Sequence, residues 1–154
     1  MALRNIALAA LLVLPACSTF NNATSKIGIS AVQNPCANAT SIADRGFCTQ
    51  ESYETVLRTC DDLTALEDAD IRIINACADG ARLTTPLVAT LTTATLTYVD
   101  AKALYDDTLE QNGDGNLTLT LLASVQEAGE IARAAYADAK PRVDQFLIAI
   151  EGVK

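Results

Sequence analysis

The chain has 154 residues, a formal net charge of −8, and no histidine or tryptophan. Nineteen acidic residues against eleven basic ones argue against a nucleic-acid partner, whose phosphates need a basic patch. Without histidine there is no Ser-His or Cys-His activation of a nucleophile and no imidazole base. Half of the residues are apolar, and the length suits one domain with a real core.

The first stretch with a clear pattern runs from Ile6 to Leu14, an unbroken apolar segment preceded by a single cation, Arg4. It has the length and flanks of a secretory h-region, and it falls well short of the ~20 apolar residues a membrane-spanning helix needs. It ends in Leu14-Pro15-Ala16-Cys17. This resembles the lipobox of bacterial lipoproteins: an apolar residue, a small residue before the cut, then cysteine. The resemblance implies that residues 1–16 are a signal peptide and that the Cys17 thiol receives a diacylglyceryl group. It further implies cleavage before Cys17 and acylation of the new amino group. Several acyl chains, at ~0.8 kcal/mol per buried CH₂, hold a protein on a bilayer far more firmly than one does. Ser18 stands where an Asp would resemble an inner-membrane retention signal. The expected location is therefore the cell envelope, facing the periplasm, on the outer membrane if the host is Gram-negative. The competing reading is an ordinary cleaved signal with Cys17 as a disulfide partner or spare thiol. Cleavage leaves 138 residues and, with Arg4 gone, a formal charge of −9. The acidic balance disfavours an electrostatic grip on anionic headgroups, so lipid has to do the anchoring.

Residues 17–35 are mostly small and polar and read as a lipidated tether, with Ile27, Ile29 and Val32 able to nucleate a short element. Asn34-Pro35 marks the break before a helical domain, 36–154. Signals are weak from Cys36 to Phe47, with one turn of helix around 37–44 ended by Gly46. Thr49 then has the form of an N-cap, with Glu51 in the first turn and Tyr53, Val56, Leu57 and Cys60 at helical spacing. Asp61-Asp62 interrupts this helix. Thr64-Ala-Leu-Glu67 has the form of a capping box, which predicts a second helix with Ile74, Cys77 and Ala78 on its apolar face and Gly80 near its end.

Cys36, Cys48, Cys60 and Cys77 are an even set in a chain bound for an oxidising compartment, so two disulfides are expected. Zinc is disfavoured by the lack of any Cys-x₂-Cys pair. In one straight helix Cys60 and Cys77 would lie about 25 Å apart, whereas a disulfide needs Cα atoms within about 7 Å. A turn is therefore required. One near Asp61–Leu63 pairs Cys48 with Cys77 and Cys36 with Cys60; one near Glu67–Asp70 pairs Cys60 with Cys77 and Cys36 with Cys48. The capping box favours the first.

Thr85-Pro86 reads as N-cap and first helical residue, opening a helix through Leu87, Leu91, Ala94, Tyr98, Tyr105 and Leu109. Asn112-Gly-Asp-Gly-Asn116 is a turn by composition. Asn112, Asp114 and Asn116 alternate as calcium ligands do, but Leu117 and Ala123 stand where an EF-hand needs Gly and Glu. A plain hairpin loop is favoured, with no metal. A second long helix follows through Leu119, Leu122, Val125, Ala132 and Ala139. Pro141 is expected to end or kink it, leaving Val143, Phe146, Leu147 and Ile150 as a short terminal piece.

The expected fold is all-α, a small bundle built around a long helix hairpin with disulfide-linked N-terminal helices. No catalytic residue and no cofactor is indicated. The expected function is non-catalytic, a membrane-anchored structural or interaction module with an envelope-protein partner. The alternative is a small-ligand-binding module, with Tyr53, Tyr98, Tyr105 and Tyr136 as lining candidates. A cavity of roughly 300 Å³ or more would favour that alternative.

Overall fold

The computed structural model describes residues 36, 38–111 and 115–153. The chain divides into two units, Met1–Val32 and Gln33–Lys154, and all described residues belong to the second. The lipobox Leu14–Cys17, the whole of the expected tether, and Asn112 to Asp114 of the expected calcium loop lie outside the described residues.

Among the described residues every regular element is helical: α1 (Ile42–Thr64), α2 (Ile71–Glu110) and α3 (Gly115–Val153). The helix α1 begins seven residues before the expected cap. Ser41 and Asp44 form the capping box, each side chain accepting from the other's backbone N–H, at 3.0 Å and 3.4 Å. Thr49, expected as the cap, is an interior residue with no solvent exposure, and its hydroxyl donates to the Arg45 carbonyl at 2.8 Å. Gly46, expected as a terminator, instead admits α2. A Cβ there would lie 2.1 Å from Thr95 Oγ1, so the absence of a side chain sets the approach of the two helices.

The break between α1 and α2 corrects the second expectation. Asp61-Asp62 does not interrupt α1, and Thr64 does not cap α2. The Thr64 hydroxyl is used inside α1, donating to Cys60 O at 2.8 Å. The N-cap of α2 is Asp70, whose carboxylate accepts from Arg72 N at 2.8 Å and pairs with the Arg72 guanidinium at 2.6 Å. The side-chain hydrogen bond from Arg72, then its backbone N–H, hold the Asp70 carboxyl down at about 2. The turn thus lies at 65–70, and the preferred disulfide pairing is overturned. The bonds are Cys36–Cys48 and Cys60–Cys77, each with Cα atoms 5.6 Å apart.

Two prolines expected as boundaries are interior. Pro86 lies within α2 and Pro141 within α3. The hydroxyl of Thr85 does not cap a helix but donates to Ala81 O at 2.6 Å and meets Tyr53 Oη at 2.5 Å. Gly80 does not end a helix either; it is covered by the Phe146 ring, whose Cδ2 would sit 2.1 Å from an added Cβ. At all of these sites, packing outweighs a local signal worth ~1 kcal/mol, or ~3 for proline.

Pairings along the helices set their directions. Gly46 meets Thr95, Gln50 Oε1 accepts from Thr92 Oγ1 at 3.1 Å, Tyr53 meets Thr85, and Cys60 bonds Cys77, so α1 runs antiparallel to the first half of α2. Gly129 faces Tyr98 and Phe146 faces Gly80, so α3 is antiparallel to α2. The expected long hairpin is α2–α3. Two cores result. Tyr53, Val56, Val88, Val143, Phe146 and Ile150 fill the end where three helices meet, around the Cys60–Cys77 bridge. Leu91, Ala94, Ala132, Ala135 and Ala139 form a thinner one, flanked by Ile42, Leu87, Tyr98 and Tyr136. Val143, Phe146 and Ile150, expected as a separate terminal piece, are the last turns of α3.

Candidate interaction surface

Gly46 of α1 meets Thr95, and Ile42, the first residue of α1, packs with Tyr98 on the alanine core. Past that level no described residue of α1 lies on α2 and α3, and between residues 96 and 127 no described residue is buried. Leu96, Leu104, Leu109, Leu117 and Leu119 are all about half exposed or more, from 48 to 66 %.

On the side of the hairpin away from α1 the two helices enclose an open groove of about 450 Å³, lined by Ala89, Thr90, Thr93, Ala94 and Thr97 of α2 and Ala128 and Ile131 of α3. None of these seven side chains titrates. The groove continues a longer charge-free row. On α2 it follows Thr90, Thr93, Thr97, Ala101, Leu104 and Thr108, in steps of three or four that keep one helix face. On α3, Leu117, Leu121, Ser124, Ala128 and Ile131 step in the same way.

The hydroxyls of this row are turned into their own helices. Thr90 donates to Pro86 O, Thr93 to Ala89 O, Thr97 to Thr93 O and Thr108 to Leu104 O, at 2.8–3.0 Å. Ser124 does the same to Thr120 O at 3.2 Å. Threonine can satisfy its oxygen on the carbonyl one turn back, and the γ-methyl is then the group free to meet a neighbour. A row that reads polar in sequence is therefore apolar in its contacts.

The tyrosines do not line the groove. Tyr53 is buried against Phe146, ring centroids 6.4 Å apart, and Tyr98 and Tyr136 pack on the alanine core. Tyr105 is half-buried further along α2. Among the described residues no cluster of three or more acidic or cysteine side chains could hold a metal ion, and no helix is long and apolar enough to cross a membrane. Of the expected calcium ligands Asn112, Asp114 and Asn116, only Asn116 is described, in the first turn of α3. The most enclosed charge is Lys140, whose side chain is 11 % exposed and pairs with Asp144 one turn on. Lys102, at the bare end, is held above its usual range by its hydrogen bond to Asp106.

No family model, curated protein or solved structure matches the chain.

Proposed function

We infer that this is a membrane-anchored envelope lipoprotein, held through acylated Cys17, whose helical domain works by contacting another protein and not by catalysis. The observation that carries the reading is the state of the cysteines. Cys36, Cys48, Cys60 and Cys77 are consumed in two disulfides, which belong to an exported protein. They leave Cys17, at the end of the lipobox-like stretch, as the one cysteine outside those pairs. An interaction role draws support from the apolar leucines exposed along the bare half of the hairpin, a feature that marks partner surfaces when contiguous. A second reading, a module for a small apolar ligand, draws support from the groove, which exceeds the ~300 Å³ lower bound of ordinary ligand pockets.

Membrane fractionation with intact-mass analysis tests the anchor. The wild-type chain is expected in the membrane pellet, cut before residue 17 and carrying acyl mass there, and Cys17→Ser is expected in the soluble fraction. An unmodified Cys17 thiol in soluble wild-type protein would overturn the reading. A reproducible co-purifying small molecule in place of a protein companion would promote the ligand module.

A further inference from the structure

We propose that the groove between α2 and α3 is the seat of a second copy of this chain, two hairpins meeting face to face about a twofold axis that crosses the groove near Thr97. This names the partner for the interaction role above and rests on that part of the reading, though not on the lipid anchor.

Self-complementarity is the first argument. An axis lying across the groove reverses each helix on its mate, so a residue seven places beyond Thr97 meets one seven places before it. Leu104 of each copy then falls on Thr90 of the other. On α3 the same operation, centred opposite Thr97, sets Ile131 over Ser124. In both helices a large exposed side chain meets a small one whose hydroxyl is already bonded within its own helix. Isologous contacts require this matching of one patch to itself.

Charge supplies the second argument. A chain with 19 acidic and 11 basic residues repels its own kind unless the contact excludes charge. No position in the row from Thr90 to Thr108, or from Leu117 to Ile131 on α3, is charged. At 100° per residue, Asp106 and Glu110 point away from the row on α2. An uncharged seam offers nothing to select a cationic partner.

Size sets the strength. The axis maps Thr90 to Leu104 onto itself, about 21 Å at 1.5 Å per residue, and two helices with axes about 8–10 Å apart make the face roughly 20 Å wide. That footprint, on the order of 400 Å² per chain, is about half of the ~800 Å² of a standard stable interface, so a weak, micromolar pairing is expected. Small residues at the centre let the facing helices approach closely, giving a four-helix arrangement that straddles the level where α1 begins.

Sedimentation equilibrium of the full chain in density-matched detergent, which cancels any acyl or detergent mass, reads the association directly. Wild type is expected at twice the monomer mass in the micromolar range. Thr97→Glu places two carboxylates together at the axis and should weaken association at least about tenfold, a cost of ~1.4 kcal/mol or more. Thr97→Lys should weaken it similarly, and an equimolar mixture of the two variants should recover the dimer. Thr97 is exposed in the single chain, so circular dichroism should show both variants folded, and Thr55→Glu at an exposed position of α1 should change nothing. Wild type that stays monomeric at about 100 μM, or charge variants that leave the mass unchanged, would overturn the second copy as the occupant. So would a photo-crosslinker at Leu104 that captures only lipid or a different protein. None of these results bears on the anchor, which fractionation decides separately.

Discussion

Where α1 lies on the hairpin, large side chains interlock: Phe146 covers Gly80, Tyr53 tilts against Phe146, and a disulfide ties Cys60 to Cys77. Along the part of the same two helices that α1 does not reach, leucines stand half exposed and no described residue is buried. One pair of helices therefore supports two kinds of surface, and the difference is made by a third helix that is only 23 residues long against 40 and 39. Stability belongs to the covered end. The bare end is left available because nothing in the described chain completes it.

Truncating the centre of the covered end should cost most. Phe146→Ala removes a ring with 3 % exposure, and a loss of about 3–5 kcal/mol is expected in urea unfolding. Leu119→Ala, at a site 66 % exposed on the bare end, should stay within about 0.5 kcal/mol of wild type. If the two variants lose stability equally, the two ends are not different in kind.

Replacing Cys60 and Cys77 together by alanine opens a loop with a sequence separation of 17, for which loop-closure entropy gives about 3 kcal/mol. The Cys36–Cys48 bond closes a loop with a separation of 12, and it joins a short leading segment to α1, not helix to helix. Paired alanine substitution there should lower the unfolding midpoint less. Thermal melts of the two double variants test the order.

A smaller effect of opposite sign is expected at Thr95. Its hydroxyl, seated over Gly46, is buried and has no hydrogen-bond partner, unlike those of Thr90, Thr93 and Thr97. Thr95→Val keeps the shape and removes an unsatisfied oxygen, whose burial costs about 1–3 kcal/mol. Stability should rise by up to about that amount, and a fall in the midpoint on calorimetry would mean that the oxygen is satisfied in solution.

Much of the architecture was legible in the residues because helical periodicity is a local property. The apolar faces of 53–60 and 87–109, a break after Leu109, and the second long helix through Ala132 could be read from spacing alone. So could the bonding of all four cysteines after residue 35 into disulfides, though not which joins which, and their geometry demanded a turn somewhere between Cys60 and Cys77. The groove was missed because threonine is written as polar. The steps from Thr90 to Thr108 were the available signal, and only the direction of each hydroxyl reveals them as an apolar row.

What the sequence determined by itself was the helical class, the two-disulfide inventory and the hairpin, since each follows from spacing, parity or turn composition. The tertiary structure alone decided which cysteines pair and where helices end. Thr64, Thr85, Gly80, Pro86 and Pro141 all carry boundary signals worth at most a few kcal/mol. Those signals give way wherever continuing a helix buries Phe146, Val143 or the Cys60–Cys77 bridge against its neighbours.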